Sequence, residues 1–171
     1  MKDIDLVQLS GPVLRALADG DLAAANLSAP VPLGAYFVSP EWRSTWRLRA
    51  RQVQDDPRSV VWITRAIVDS ARGVAVGCAG FHGPPDAEGM IEVGYAVDPA
   101  FRRNGYARAA LVALLEWAKD DASIRTVRAT ISPDNLASRA LVNQYGFVEV
   151  GEQWDEEDGL EIIFEVESRG A

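Results

Sequence analysis

The sequence predicts an α/β fold in which an antiparallel meander leads into alternating strands and helices. Two β-rich runs, 60–68 and 74–81, are joined by Asp69-Ser70-Ala71-Arg72-Gly73, a loop of hairpin length with glycine at its end. From Met90 onward the apolar pattern changes repeatedly between strand and helix periods, an alternation that builds sheets covered by helices. At 171 residues and 48% apolar, the chain suits one globular domain, 1–171, with a sizeable core.

Taken in order, Ile4 to Leu9 alternates like a half-buried edge strand. Ser10 is placed to cap a helix reaching Ala18, with Pro12 in its first turn and Asp19-Gly20 as its end. The Ala- and Pro-rich stretch 21–38 has little period and is left as a helical turn and an irregular loop. Ser39-Pro40-Glu41 reads as a helix start, and Trp42, Trp46, Arg49 and Val53 recur on one face until Asp55-Asp56-Pro57 stops it. The tryptophans read first as core aromatics of an amphipathic helix. After the hairpin, 83–89 connects to a third strand, Met90 to Val97. Ala107, Ala110, Leu111, Leu114 and Ala118 then mark a helix that ends near Lys119-Asp120-Asp121. Thr126 to Ile131 is a strand, Pro133-Asp134-Asn135 begins another helix, and Gly146 is placed to close it in the left-handed conformation.

Charge and composition narrow the function. With 17 basic against 25 acidic residues the net charge is −8, which repels nucleic acid and attracts cations. Cys78 is the single cysteine and lies in an apolar run, so no intrachain disulfide forms and a cytoplasmic home is expected. No signal-like segment and no run of membrane-spanning length is seen, so no membrane partner is expected. Metal-ligand spacing is absent. His82, the single histidine, reads as an ordinary loop residue at a strand end.

The segment Met90 to Arg108, MIEVGYAVDPAFRRNGYAR, carries the chemistry. A strand runs into a basic glycine loop that opens a helix, where free backbone N–H groups and the positive dipole end favour phosphate. Arg102-x-x-Gly105-x-Ala107 resembles the acyl-CoA pyrophosphate loop of the GNAT superfamily of N-acyltransferases. Glu92-Val93-Gly94-Tyr95, Gly105-Tyr106-Ala107, Asn135-Leu136-Ala137-Ser138 and Gly146-Phe147 follow in the order found in the branch resembling ribosomal-protein N-terminal acetyltransferases. The resemblance is specific over 60–166 and loose before it. Two positions depart: Val142 stands where many GNAT enzymes carry a tyrosine acid, and Ala109 where the branch commonly has glutamate.

The resemblance implies an α/β (α+β) fold with a mixed, mostly antiparallel sheet of about seven strands and about four helices, its central strands splayed at the cofactor. The final hairpin would turn near Asp158-Gly159, and Gly94 would mark a bulge that opens the gap. It also implies an N-acetyltransferase using acetyl-CoA (coenzyme A) as co-substrate, with a primary amine of a peptide or small molecule as acceptor. A non-catalytic acyl-CoA-binding module, or transfer from succinyl-CoA, are the alternatives. Pyrophosphate would be held by backbone groups along Arg103, Asn104, Gly105, Tyr106, Ala107 and Arg108, with charge from Arg102 and Arg103. Ala96 and Val97 would pair with pantetheine, and Asn135 would touch the same arm. Tyr36, Phe37, Trp42 and Trp46 border the acceptor site in that picture. Glu92 is the candidate base and Ser138 the candidate donor to the departing thiolate. The acidic hairpin 152–167, free of basic residues, reads first as a solvated turn and second as an attractor for a cationic amine. A homodimer stays open.

Overall fold

The structure is a computed structural model and describes residues 1–169. Its seven strands form one sheet in the order β1-β2-β3-β4-β5-β7-β6, mostly antiparallel with a parallel contact between β4 and β5. The strands are β1 (Ile4–Val7), β2 (Arg65–Asp69), β3 (Val74–Phe81), β4 (Met90–Val97), β5 (Thr126–Ile131), β6 (Val148–Asp155) and β7 (Gly159–Glu167). The α-helices are α1 (Gly11–Asp19), α2 (Leu22–Ser28), α3 (Arg43–Asp55), α4 (Tyr106–Asp120) and α5 (Leu136–Asn143).

Two apolar clusters sandwich the sheet. On β2, Ala66 and Val68 turn into a cluster with Leu14, Leu17 and Trp46 of α1 and α3, while Ile67 joins Leu111, Leu114 and Val142 of α4 and α5. This is strand alternation matched to helical stripes. The tryptophan stripe of α3 behaves as expected: Trp46 is fully buried, and its indole N–H donates to the Phe37 carbonyl at 2.6 Å. Trp42 stacks on Trp46 at 5.4 Å between ring centres.

The stretch 21–38 resolves into α2 and a short 3-10 turn, Ala35–Val38. Asp21 caps α2 by accepting from the Ala24 amide, and Asn26 closes the following loop by bonding both the amide and the carbonyl of Leu33. Such side-chain bonds to backbone leave little hydrophobic period for a sequence reading. Ser39 stands at the N-cap position with Pro40 at N1, but of a 3-10 turn and without a side-chain cap bond. Its hydroxyl donates to the Tyr36 carbonyl, and Pro40–Trp42 is a 3-10 turn before α3 begins at Arg43. The run 60–68 is likewise divided. Asp56 caps a 3-10 turn, Pro57–Val61, through the Arg58 amide, so β2 begins only at Arg65.

No register shift marks Gly94. The β3–β4 pairing runs unbroken from Phe81↔Val93 to Gly77↔Val97, and the irregular steps lie at Ile67/Val68 and Glu149/Gly151. Gly94 has a packing reason instead: a Cβ there would come within 2.8 Å of His82 Nε2. Gly146 adopts the expected left-handed φ of 79° after α5. Among the described residues, no helix is long and apolar enough to cross a membrane.

Where Ala109 replaces the branch glutamate, α4 is tethered otherwise. Buried Asp69, at the end of β2, accepts from the Tyr106 hydroxyl at 2.5 Å and from the amides of Ala71 and Arg72. The Tyr106 bond is the first cause holding that carboxyl below its ordinary pKa. Tyr106→Phe should remove one partner of a buried carboxylate. The thermal midpoint should fall by roughly 2–4 °C, measured by circular dichroism.

Candidate active site

Strand β4 pairs with β5 at only three positions, Met90↔Thr126, Ile91↔Val127 and Glu92↔Arg128. Beyond them β4 stays on β3 and β5 stays on β7, so a gap opens at Val93. The bonds from the His82 amide to the Glu92 carbonyl and from the Asp98 amide to the Val76 carbonyl set the phase of the ladder. Residues 92, 94, 96 and 98 therefore turn their backbone groups toward β3, and Val93, Tyr95 and Val97 turn theirs into the gap. Val97 lies on the free edge as expected, but the backbone groups of Ala96 face Cys78 across the β3 ladder. Tyr95 takes the place that the sequence reading gave to Ala96. The Val97 carbonyl already accepts from Arg102 Nε at 3.1 Å.

The gap runs into the glycine loop. Asp98 accepts from the Ala100 amide and starts a 3-10 turn, Pro99–Phe101. Arg103 and Gly105 then take left-handed φ values of 61° and 85°. Asn104 fixes the bend by donating to the carbonyls of Phe101 and Arg102. The first helical bond of α4 is from the Ala109 amide to the Gly105 carbonyl, so the amides from Arg103 to Arg108 meet no acceptor among the described residues. Successive free N–H groups at the positive end of a long helix form a concave anion site. Tyr106 and Ala107 contribute backbone only, for the Tyr106 ring is buried on Asp69. Arg108 donates to Gln144, and the Arg103 side chain is exposed.

A cavity of about 1060 Å³ passes through the gap. On the α3 side it is lined by Trp42, Arg49, Gln52, Thr64 and His82. Glu92 lies behind this wall. Its Oε1 accepts from the Thr130 hydroxyl at 2.6 Å and sits 3.5 Å from His82 Nδ1, with its side chain 22% exposed. Arg49 is 5% exposed and donates to Thr64, Gln52 and the His82 carbonyl, which also accepts from Gln52 at 2.7 Å. Desolvation lowers its pKa to about 10 against the pull of Glu92, so it stays charged. The sequence signal for Arg49 was a cation on an apolar helical stripe. His82 had no comparable signal, because its partners come from α3 and β4.

On the α5 side stand Tyr95, Asn135 and Ser138. Asn135 Oδ1 accepts from the Ser138 amide at 3.1 Å and so caps α5, which engages part of the side chain expected at the cofactor. The Ser138 hydroxyl makes no bond back to its own helix among the described residues. It lies beside the Tyr95 hydroxyl, whose pKa is raised by burial and, to a smaller extent, lowered by Ser138. Val142 is fully buried in the apolar cluster and offers nothing to the cavity. At the mouth lie Trp154, Asp155, Glu156, Glu157, Asp158 and Glu161.

The chain is similar to known proteins at three levels. A family model described as an acetyltransferase (GNAT) domain matches residues 13–148. An uncharacterized N-acetyltransferase, YjdG, of Bacillus subtilis is 38% identical over 73 residues, and the match spans 43% of this chain and 44% of that relative. Among solved structures, a mutant of spermidine N-acetyltransferase SpeG from Vibrio cholerae superposes with a TM-score of 0.67 at 15% identity, covering 96% of this chain and 94% of the other. The ribosomal-protein-S5-alanine acetyltransferase of Vibrio fischeri gives 0.63 at 17% identity, covering 96% and 92%. These structures share the fold.

Proposed function

The chain belongs to the GNAT acetyltransferase domain family, and from that premise we propose that it transfers the acetyl group of acetyl-CoA to a primary amine. One observation carries the reading: the free amides from Arg103 to Arg108 lie at the end of the same strand whose inner edge, Val93 to Val97, has lost its partner. Pyrophosphate suits the first, and the amide groups of pantetheine suit the second. Arg103 adds charge at the loop. Arg102 would exchange its bond to the Val97 carbonyl for the phosphates or keep the loop folded around them. Asn135, as the cap of α5, shapes the wall along which the pantetheine arm would run.

The thioester would then lie in the gap between the two polar walls. The amine nitrogen attacks the acyl carbon, the carbon–sulfur bond breaks, and the thiolate departs on the α5 side. Ser138, with Tyr95 behind it, supplies a hydroxyl there in place of the tyrosine that Val142 displaces. The amine loses its proton toward the opposite wall, where Glu92 provides the negative charge.

The acceptor is a cationic amine. Five carboxylates and the indole of Trp154 line the mouth, and Trp42 faces the cavity from α3. Acids without basic neighbours hold an ammonium, and an aromatic face adds cation–π attraction. Neighbouring folds whose names specify spermidine or a ribosomal protein agree with an amine acceptor. This reading places the family activity in a cytoplasmic enzyme and rests on no metal.

Gly105→Val should weaken acetyl-CoA binding sharply, because φ 85° is strained for a branched residue and the backbone could no longer approach phosphate. Isothermal calorimetry on the folded variant checks it, and unchanged affinity would remove the cofactor assignment. Charge reversal of Glu156 and Glu157 to lysine should raise KM for a polyamine about tenfold at low salt and less at high salt, with kcat little changed. Ser138→Ala should slow turnover by roughly ten- to a hundredfold while CoA affinity holds. Thiol release measured at saturating acetyl-CoA reads both changes.

A further inference from the structure

His82 lines the cavity and Glu92 does not. Glu92 is turned away from the cavity, tied to Thr130 at 2.6 Å, and His82 stands between it and the open space. The imidazole is 44% exposed toward that space. Its Nδ1 edge looks at Glu92 Oε1 over 3.5 Å. Its Nε2 edge lies above Gly94, on the strand whose inner edge is unpaired, in contact that only glycine allows. The His82 carbonyl is gripped by Arg49 and Gln52, which fixes the main chain from which the ring projects.

We propose that His82 is the proton acceptor of the transfer reaction and that Glu92 acts through it, as a positioning residue. The proposal rests on the acetyltransferase reading above. The Glu92 carboxylate 3.5 Å from Nδ1 favours the tautomer with its proton on Nδ1, which leaves the lone pair on Nε2, beside Gly94 on the cavity wall. The ammonium first gives up one proton to solvent; as the neutral amine nitrogen bonds to the acyl carbon, its second leaving proton passes to Nε2, the carbon–sulfur bond breaks, and the thiolate leaves with the electron pair and takes a proton from solvent, to which the imidazolium returns its own. The imidazolium that forms lies beside the Glu92 carboxylate.

The charged groups around the ring are Glu92 of β4 and Arg49 of α3. Desolvation is the largest influence and lowers the pKa below its ordinary 6.5; Glu92 raises it and Arg49 lowers it further. The net direction favours the neutral imidazole, the form able to accept a proton. Activity governed by it should be lost as pH falls through a midpoint below 6.5.

The single histidine makes the test direct, since untagged protein gives one imidazole resonance. NMR titration should show a midpoint below 6.5 that moves lower still in Glu92→Gln, where the carboxylate charge is gone. In thiol-release assays with acetyl-CoA and spermidine, His82→Ala should lose about a hundredfold or more in kcat, lose the acid limb of the pH profile and regain part of the rate with added imidazole. Glu92→Gln should keep an acid limb, moved to lower pH. A His82→Ala protein with the parent kcat and acid limb overturns the proposal, as does a Glu92→Gln protein that alone loses the limb. An NMR midpoint unmoved by Glu92→Gln also overturns the pairing. Should no amine among polyamines and peptides promote thiol release from the parent protein, the acetyltransferase reading itself falls and takes the proton role with it.

Discussion

Two adjacent strands that pair for three residues and then part are the constraint on which this molecule depends. Each keeps a partner on its outer side: β4 remains on β3 through Val97, and β5 remains on β7 along its whole length. The inner backbone groups of Val93, Tyr95 and Val97 are left without a ladder. Unpaired backbone donors and acceptors within a sheet are costly when buried, so the gap must stay wet or be filled by something with peptide-like polarity. The loop that follows β4 and the cavity that crosses the sheet both take their position from this opening.

The charges sort themselves along the same axis. Free amides and arginines lie past the end of β4, where a helix terminus adds positive potential, and carboxylates crowd the opposite mouth at the β6–β7 turn. The loop end of the gap and the acidic mouth of the cavity thus carry opposite charge. Between them the polar groups are few and held: Arg49 by three acceptors, Glu92 by Thr130, His82 by its own gripped carbonyl. The fixed surroundings give the imidazole a defined orientation before any ligand arrives, which is what preorganisation requires.

The tether between Asp69 and Tyr106 links this site to the stability of the sheet. Tyr106 is the first residue of α4, and its hydroxyl is bonded to the carboxylate that also closes the β2–β3 turn. The helix end that presents free amides is therefore fastened from below by a side chain rather than from within by a cap. Gly105, in the left-handed conformation, offers no capping side chain that would compete with a bound anion.

Much of this was legible in the chain because it is written in local pattern. The apolar run of β4, the stripe of α4, the glycine loop, Gly146 and the acidic hairpin depend on neighbours within a few residues, and hydrophobic period and turn chemistry report such neighbours. Where side chains bond back to the backbone, as at Asp21, Asn26, Ser39 and Asp56, the period was absent or misleading, and short helical turns replaced the expected loop, helix start and strand. The phase of the free edge needed the ladder itself: one residue of register decides whether Ala96 or Tyr95 faces the gap. His82, Arg49, Glu92 and Thr130 lie far apart in sequence and meet only because α3 crosses above β3 and β4 while β5 runs alongside. The sequence by itself determined most of the elements and the glycine loop, since those follow from local bonding; the tertiary structure decided which polar groups share the cavity, since a lone histidine acquires its partners only through long-range packing.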